Sequence, residues 1–109
     1  MSGAGGFKLV WFVPREAVDA TREAVFAAGA GRIGGYERCS WYTMGTGTFL
    51  GGNGTDPAVG QKGSEQRLSE VRIETVVAAE HVRAVVDALV AAHPYEEVAY
   101  DLYALAELP

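Results

Sequence analysis

A chain of 109 residues suits one domain and leaves little room for two, and a domain this short buries only a thin core. Its 49% hydrophobic and 21% charged residues are ordinary for a globular protein, and nine Lys and Arg against fourteen Asp and Glu give a net charge of −5. That balance argues against nucleic acid and against an anionic membrane surface, since both favour clustered basic residues.

The single cysteine, Cys39, excludes an internal disulfide framework and fits a reducing, cytoplasmic setting. Residues 1–6 carry neither the basic nor the apolar part of a signal peptide and read as a floppy lead-in to one domain over residues 7–109. No apolar run approaches the ~20 residues of a membrane-spanning helix.

The first element is Phe7-Lys8-Leu9-Val10-Trp11-Phe12-Val13, a nearly continuous apolar run that predicts a central strand. Pro14 then opens a helix over residues 15–28, with Val18, Thr21, Val25 and Ala28 at helical spacing and Gly29 as its cap. Residues 37–43 read as a second strand. Residues 45–63, crowded with glycine, read as a long loop of the kind that carries function.

From 68 to 78 the chain alternates, setting Val71, Ile73, Thr75 and Val77 against Arg72, Glu74 and Val76, which is the period of a half-buried strand. Val82, Val85, Val86 and Leu89 mark a helix over residues 80–92, stopped by Pro94, and residues 98–105 alternate again. The order β-α-β-β-α-β predicts an α+β, ferredoxin-like split βαβ fold: a four-stranded antiparallel sheet with two helices on one face. The other face is left bare for Trp11, Trp41, Tyr100 or Leu102, and a bare apolar face implies a partner subunit.

The motifs are sparse. Gly29-Ala30-Gly31-Arg32-Ile33-Gly34 spells G-x-G-x-x-G, but it follows a helix and leads to a strand, the reverse of a dinucleotide fingerprint, so it reads as a turn. In the glycine-dense loop, Thr46, Thr48, Asn53 and Thr55 offer polar groups, with Lys62 and Arg67 as charges. These suit either a ligand loop or a plain hairpin connection.

His81 and His93 bracket one helix, ~18 Å apart at the helical rise, so they cannot share an ion within a chain. Glu96 and Glu97 are adjacent and, if extended, point to opposite faces, which leaves one of them to join His93. His93 also has a structural reading, as a cation at a helix C-terminus. Cys39, in a predicted strand, has no activating base nearby in sequence, and Ser40 and Ser64 lack a nucleophile elbow.

Four blocks carry a resemblance: Val13-Pro14 with its helix, Gly29 through Ser40, Gly45-Thr46-Gly47-Thr48-Phe49, and His93-Pro94-Tyr95-Glu96-Glu97-Val98-Ala99-Tyr100-Asp101. Together they resemble the PII/CutA-like domain inserted in NGG-interacting-factor (YqfO-type) proteins, over about residues 8–105. The resemblance implies the ferredoxin-like fold of PII and CutA proteins. The larger relatives carry a dinuclear metal centre in flanking lobes, which this sequence does not match, so the resemblance is to the insert as a standalone chain.

A non-enzymatic, oligomeric module is thereby implied, dimeric or trimeric, that binds a small ligand or a divalent metal ion or regulates a partner. CutA relatives share the His-Pro-Tyr element and an association with copper, which implies His93 and Glu97 as metal ligands. Tyr36, Cys39, Thr46, Thr48 and Glu96 are the ligand-binding set. Two alternatives stand beside this: an assembly domain for a separately encoded dinuclear-metal hydrolase core, and a small hydrolase with a site shared between subunits.

Overall fold

The computed structural model describes residues 6–54 and 63–109. Along the chain run β1 (Phe7–Val13), a 3-10 turn (Arg15–Ala17), α1 (Val18–Ala27), β2 (Ser40–Leu50), β3 (Glu65–Val77), a second 3-10 turn (Ala79–His81), α2 (Val82–Ala92) and β4 (Tyr100–Ala104). The strands form one antiparallel sheet in the order β2-β3-β1-β4. This is the ferredoxin-like arrangement read from the element order. Of the lead-in, residues 1–5 lie outside the described residues, while the Gly6 carbonyl accepts a hydrogen bond from the Leu105 N–H at 3.0 Å, lengthening the β1–β4 ladder.

The core lies between the helices and one sheet face. Leu9, Trp11 and Val13 of β1 pack with Val71, Ile73 and Val77 of β3 against Val18, Val25 and Phe26 of α1 and Val85 and Leu89 of α2. The alternation of β3 therefore gives the buried set correctly, with Thr75 buried among them. In β1 the apolar run has no period, and only the register assigns its faces.

Trp11 stands opposite Ile73 on one side and Tyr100 on the other, and directly opposed residues share a face. That is the helix face, where Trp11 is fully buried and its indole N–H donates to Thr21 Oγ1 at 3.0 Å. The expectation of Trp11 on the bare face is therefore corrected. By the same register Tyr100 and Leu102, opposite Trp11 and Leu9, belong to the helix side at the sheet's edge. Of the four candidates only Trp41, opposite Glu74, lies on the uncovered face, and it is 60% exposed.

The larger correction concerns the predicted loop. β2 runs on through Gly45, Thr46, Gly47, Thr48 and Phe49 to Leu50, paired with Glu65 to Glu70 of β3. A Gly51 carbonyl bond to the Gly63 N–H at 2.7 Å continues the closure. Glycine density suggests a loop, yet alternate Thr and Phe supply β-forming side chains. Gly47 also has a specific use, because a Cβ there would overlap the Glu70 carboxylate that lies across it.

β1 ends at Val13, opposite Val71. Beyond Met44 and Val71 the hairpin therefore continues as a two-stranded arm, with no third strand among the described residues. Thr55 and Lys62, expected in the loop, lie outside those residues.

The G-x-G-x-x-G stretch is a turn between α1 and β2, as read. Gly31 has φ +85, and a Cβ there would meet the Phe26 ring at 2.8 Å and the Cys39 backbone nitrogen at 3.1 Å. Cys39 itself sits just before β2 rather than within it.

Thr21 is the single hydroxyl buried against the Trp11 indole, and it also bonds the Ala17 carbonyl at 2.9 Å. Thr21→Val keeps the volume and orphans the indole N–H. The expected cost is about 1–3 kcal/mol, read as a lower urea midpoint with an unchanged slope.

Candidate functional site

The stretch from His93 to Glu97 forms the corner between α2 and β4. Pro94 disfavours helical backbone at the residue before it, and His93 accordingly ends α2 in extended geometry, φ −84 and ψ 139. Its N–H still closes the last helical turn on the Leu89 carbonyl at 3.0 Å. This break turns the imidazole inward, where it is 7% exposed.

Both ring nitrogens of His93 are engaged. Nε2 lies 2.7 Å from the Phe12 carbonyl oxygen, and Nδ1 is 3.1 Å from the Tyr95 backbone N–H. The carbonyl needs a donor and the N–H an acceptor, so the proton sits on Nε2 and Nδ1 carries the lone pair. The ring bridges the end of α2 to the end of β1, 81 residues away in sequence. The imidazole thus serves the corner as a two-bond clasp.

Tyr95 follows the clasp, its ring 4.9 Å from the imidazole. Its hydroxyl oxygen is buried with no partner in hydrogen-bonding geometry, although the Glu70 carboxylate stands near enough to act on its ionisation. Burial chiefly, then Glu70, then the charge of Glu16, push the phenol up to about 12.

Glu70 also lines a cleft of about 400 Å³ at the base of the arm, with Phe12, Arg72, Ala99 and the β2 segment from Thr43 to Thr48. The Arg72 guanidinium lies 5.7 Å from the Phe12 ring and 3.1 Å from Glu74.

The candidate residues fall into three places. Thr46 and Thr48 line the cleft, further along β2 than Thr43, which shares the Arg72 and Phe12 rung that His93 holds. Glu96 and Glu97 are exposed on the corner. Tyr36 is 77% exposed in the turn it closes with Ile33, and the Cys39 carbonyl accepts from Thr75 Oγ1 at 2.7 Å.

Thr75 is level with Leu9, three residues along β1 and one strand across from Phe12, so Cys39, on the far side of Thr75, does not join His93 within one chain, and neither does Tyr36 in its exposed turn. Among the described residues no three His, Cys, Asp or Glu side chains gather to hold a metal ion. Sequence reasoning missed Glu70, Arg72 and Tyr95. The alternation of β3 places Arg72 on the outer face, whereas the approach of Glu70 to Gly47 and Tyr95 depends on pairings that no local signal carries.

Comparison with known proteins adds relatives to this geometry. No family model matches the chain. A protein named GTP cyclohydrolase 1 type 2 homolog from Mycobacterium tuberculosis is 50% identical over 102 residues, which make up 94% of this chain and 27% of that protein. The crystal structure of a Bacillus cereus protein related to NIF3 superposes with a TM-score of 0.82 at 45% identity, covering 94% of this chain and 26% of that one.

The periplasmic divalent cation tolerance protein CutA from Archaeoglobus fulgidus shares the fold, with a TM-score of 0.70 at 12% identity, covering 95% of this chain and 87% of that one. The chain thus spans about a quarter of the length of the M. tuberculosis and B. cereus proteins. The resemblance carried by the four sequence blocks holds across nearly all of it.

The Tyr95 phenol yields a pH prediction. Unfolded, it ionises near its ordinary value of 10.0, against about 12 in the fold. Between those values the unfolded chain has lost a proton that the folded chain keeps, so stability falls as pH rises. The contribution is intact below about pH 10 and gone by about pH 12. Urea midpoints across that range should decline, and Tyr95→Phe should flatten part of the decline.

Proposed function

We propose that this chain, which matches a quarter-length segment of NIF3-related proteins at about half identity, is a non-catalytic, self-associating module that acts by docking to a protein partner. The observation that carries this reading is the clasp. The histidine best placed for chemistry spends both nitrogens on the fold, while the uncovered sheet face and the arm remain available for contact. The partner that fits is a NIF3-type core, because that is what accompanies the matching segment in the relatives. The module works in the cytosol, where the lone thiol of Cys39 stays reduced.

A second reading, binding of a small ligand, is favoured by the arm-base cleft with its carboxylate, guanidinium and glycine-rich wall. Thr46 and Thr48 would contribute there. Tyr36, Cys39 and Glu96 would contribute only across a subunit boundary. A divalent ion on His93 and Glu97 would have to displace either the Phe12 carbonyl or the Tyr95 N–H, so ion binding and corner folding compete.

Two measurements separate these readings. Light scattering or native mass spectrometry at micromolar concentration should find an oligomer, and a strictly monomeric chain at ~100 μM would defeat the docking-module reading. Titration with Cu, Zn, Ni and Co should leave the thermal midpoint unchanged or lower it. A rise in midpoint that His93→Ala abolishes would establish the metal reading instead.

A further inference from the structure

The first and last strands leave the sheet at one end. The Leu105 N–H donates to the Gly6 carbonyl at 3.0 Å, and β1 begins level with Val77 of β3 and Ala104 of β4. The match to the M. tuberculosis protein takes in 102 residues, 94% of this chain but 27% of that protein. Its ends therefore fall near the start of β1 and the end of β4, however the few unmatched residues divide. The other three quarters of such a relative must join at this end of the sheet, through one junction or two. The arm extends from the opposite end, beyond Val13 and Val71.

A braced turn stands at the end where those junctions fall. Gly31 gives its N–H to the Val76 carbonyl and its own carbonyl accepts from the Cys39 N–H, both at 2.8 Å. This ties the stretch before β2 to the last residues of β3. Beyond it, Ile33 and Tyr36 pair across Gly34 and Gly35 through two reciprocal backbone bonds of 3.0 and 2.9 Å. Directly opposed residues send their side chains to one face, so Ile33, 55% exposed, and Tyr36, 77% exposed, stand together in solvent.

The return leg of the turn is held by Arg38. Its guanidinium makes a two-bond pair with the Glu23 carboxylate of α1 and lies 5.0 Å from the Phe26 ring. Arg38 has φ 59, a left-handed conformation that a residue with a Cβ adopts at a cost. Backbone strain of this kind persists only where the surroundings over-determine it, and it concentrates at binding sites. The turn is thus fixed in place while presenting two large apolar side chains to water.

We infer that the Ile33–Tyr36 turn is the contact through which the module docks to a NIF3-type core, both side chains entering an apolar recess on the part of that protein outside the matching segment. The inference rests on the docking reading above and names its surface. The core is the occupant because the base of the turn, bonded to β3, lies within about two strand spacings, ~10 Å, of β1. A body joined at the start of β1 or the end of β4 meets this turn before it meets the arm. Arg32 and Glu37, one charge of each sign, flank the apolar pair, which suits a recess with a mixed polar rim. An anchor held rigid before binding loses little freedom on docking.

The test places a photo-crosslinking residue in the full chain, expressed in the cells it comes from, as Tyr36→benzoylphenylalanine and separately as Ser69→benzoylphenylalanine on the arm. Both positions are exposed, so each variant should keep its far-UV circular dichroism. Irradiation should yield a product with a NIF3-type protein, identified by its peptide masses, from position 36 and not from position 69. Ile33→Asp with Tyr36→Asp should lower the amount of that protein co-purifying with the chain by roughly thirtyfold or more, the scale of losing an interface anchor, and leave the thermal midpoint unchanged.

A NIF3-type product from position 69 alone, or equally from both positions, overturns the turn contact and leaves docking to the core standing. So does a double aspartate variant that co-purifies as much core as the unaltered chain. No NIF3-type product from either position, including a result in which position 36 links only copies of this chain, overturns the turn contact and the core as partner together.

Discussion

The structure turns on one imidazole. A domain of this size has little core to spare, and its last strand must return to β1 from the far end of α2. His93 makes that return specific. Its Nε2–H is given to the Phe12 carbonyl and its Nδ1 lone pair to the Tyr95 N–H. The Phe12 N–H in turn donates to the Ala99 carbonyl at 3.2 Å, so the residue that receives the imidazole also begins the ladder to β4. Losing the ring would orphan a buried donor and an acceptor at one corner, a larger penalty than the net worth of either bond.

The clasp has a second consequence through Tyr95. Held two residues past His93, this side chain brings its unpartnered hydroxyl beside Glu70, and Glu70 reaches over Gly47 at the base of the arm. The corner and the arm, distant in sequence, are thus neighbours through one carboxylate. The cleft at the base of the arm is lined by Gly45 and Gly47 of β2 together with Glu70 and Ala99.

How much of this could be read from residues alone depended on the range of the interaction. The element order came from local spacing, and the buried face of β3 from its alternation, because both are properties of a few neighbouring residues. β1 is apolar on both faces, so the side taken by Trp11 waited on its pairing with Ile73. Gly45 to Leu50 reads as loop from its own residues because glycine is a poor strand former, and only partners about twenty residues away make it a strand. His93 is the plainest case. Its extended backbone follows from Pro94, but its partner is a backbone carbonyl, and a carbonyl leaves no mark in a sequence.

The same distinction bears on what the surface is for. A histidine, two glutamates and a cysteine attract attention as chemistry, yet the histidine is consumed by the fold and the cysteine lies at the other end of the sheet. The informative feature is instead a deficiency: eleven residues of β2 without a charge, beside a strand rich in them. A solvated edge gains from charge and loses nothing by it, whereas an edge that pairs must desolvate whatever it carries. On the proposed self-associating reading, contact between copies supplements a core that one copy of so short a chain builds only thinly.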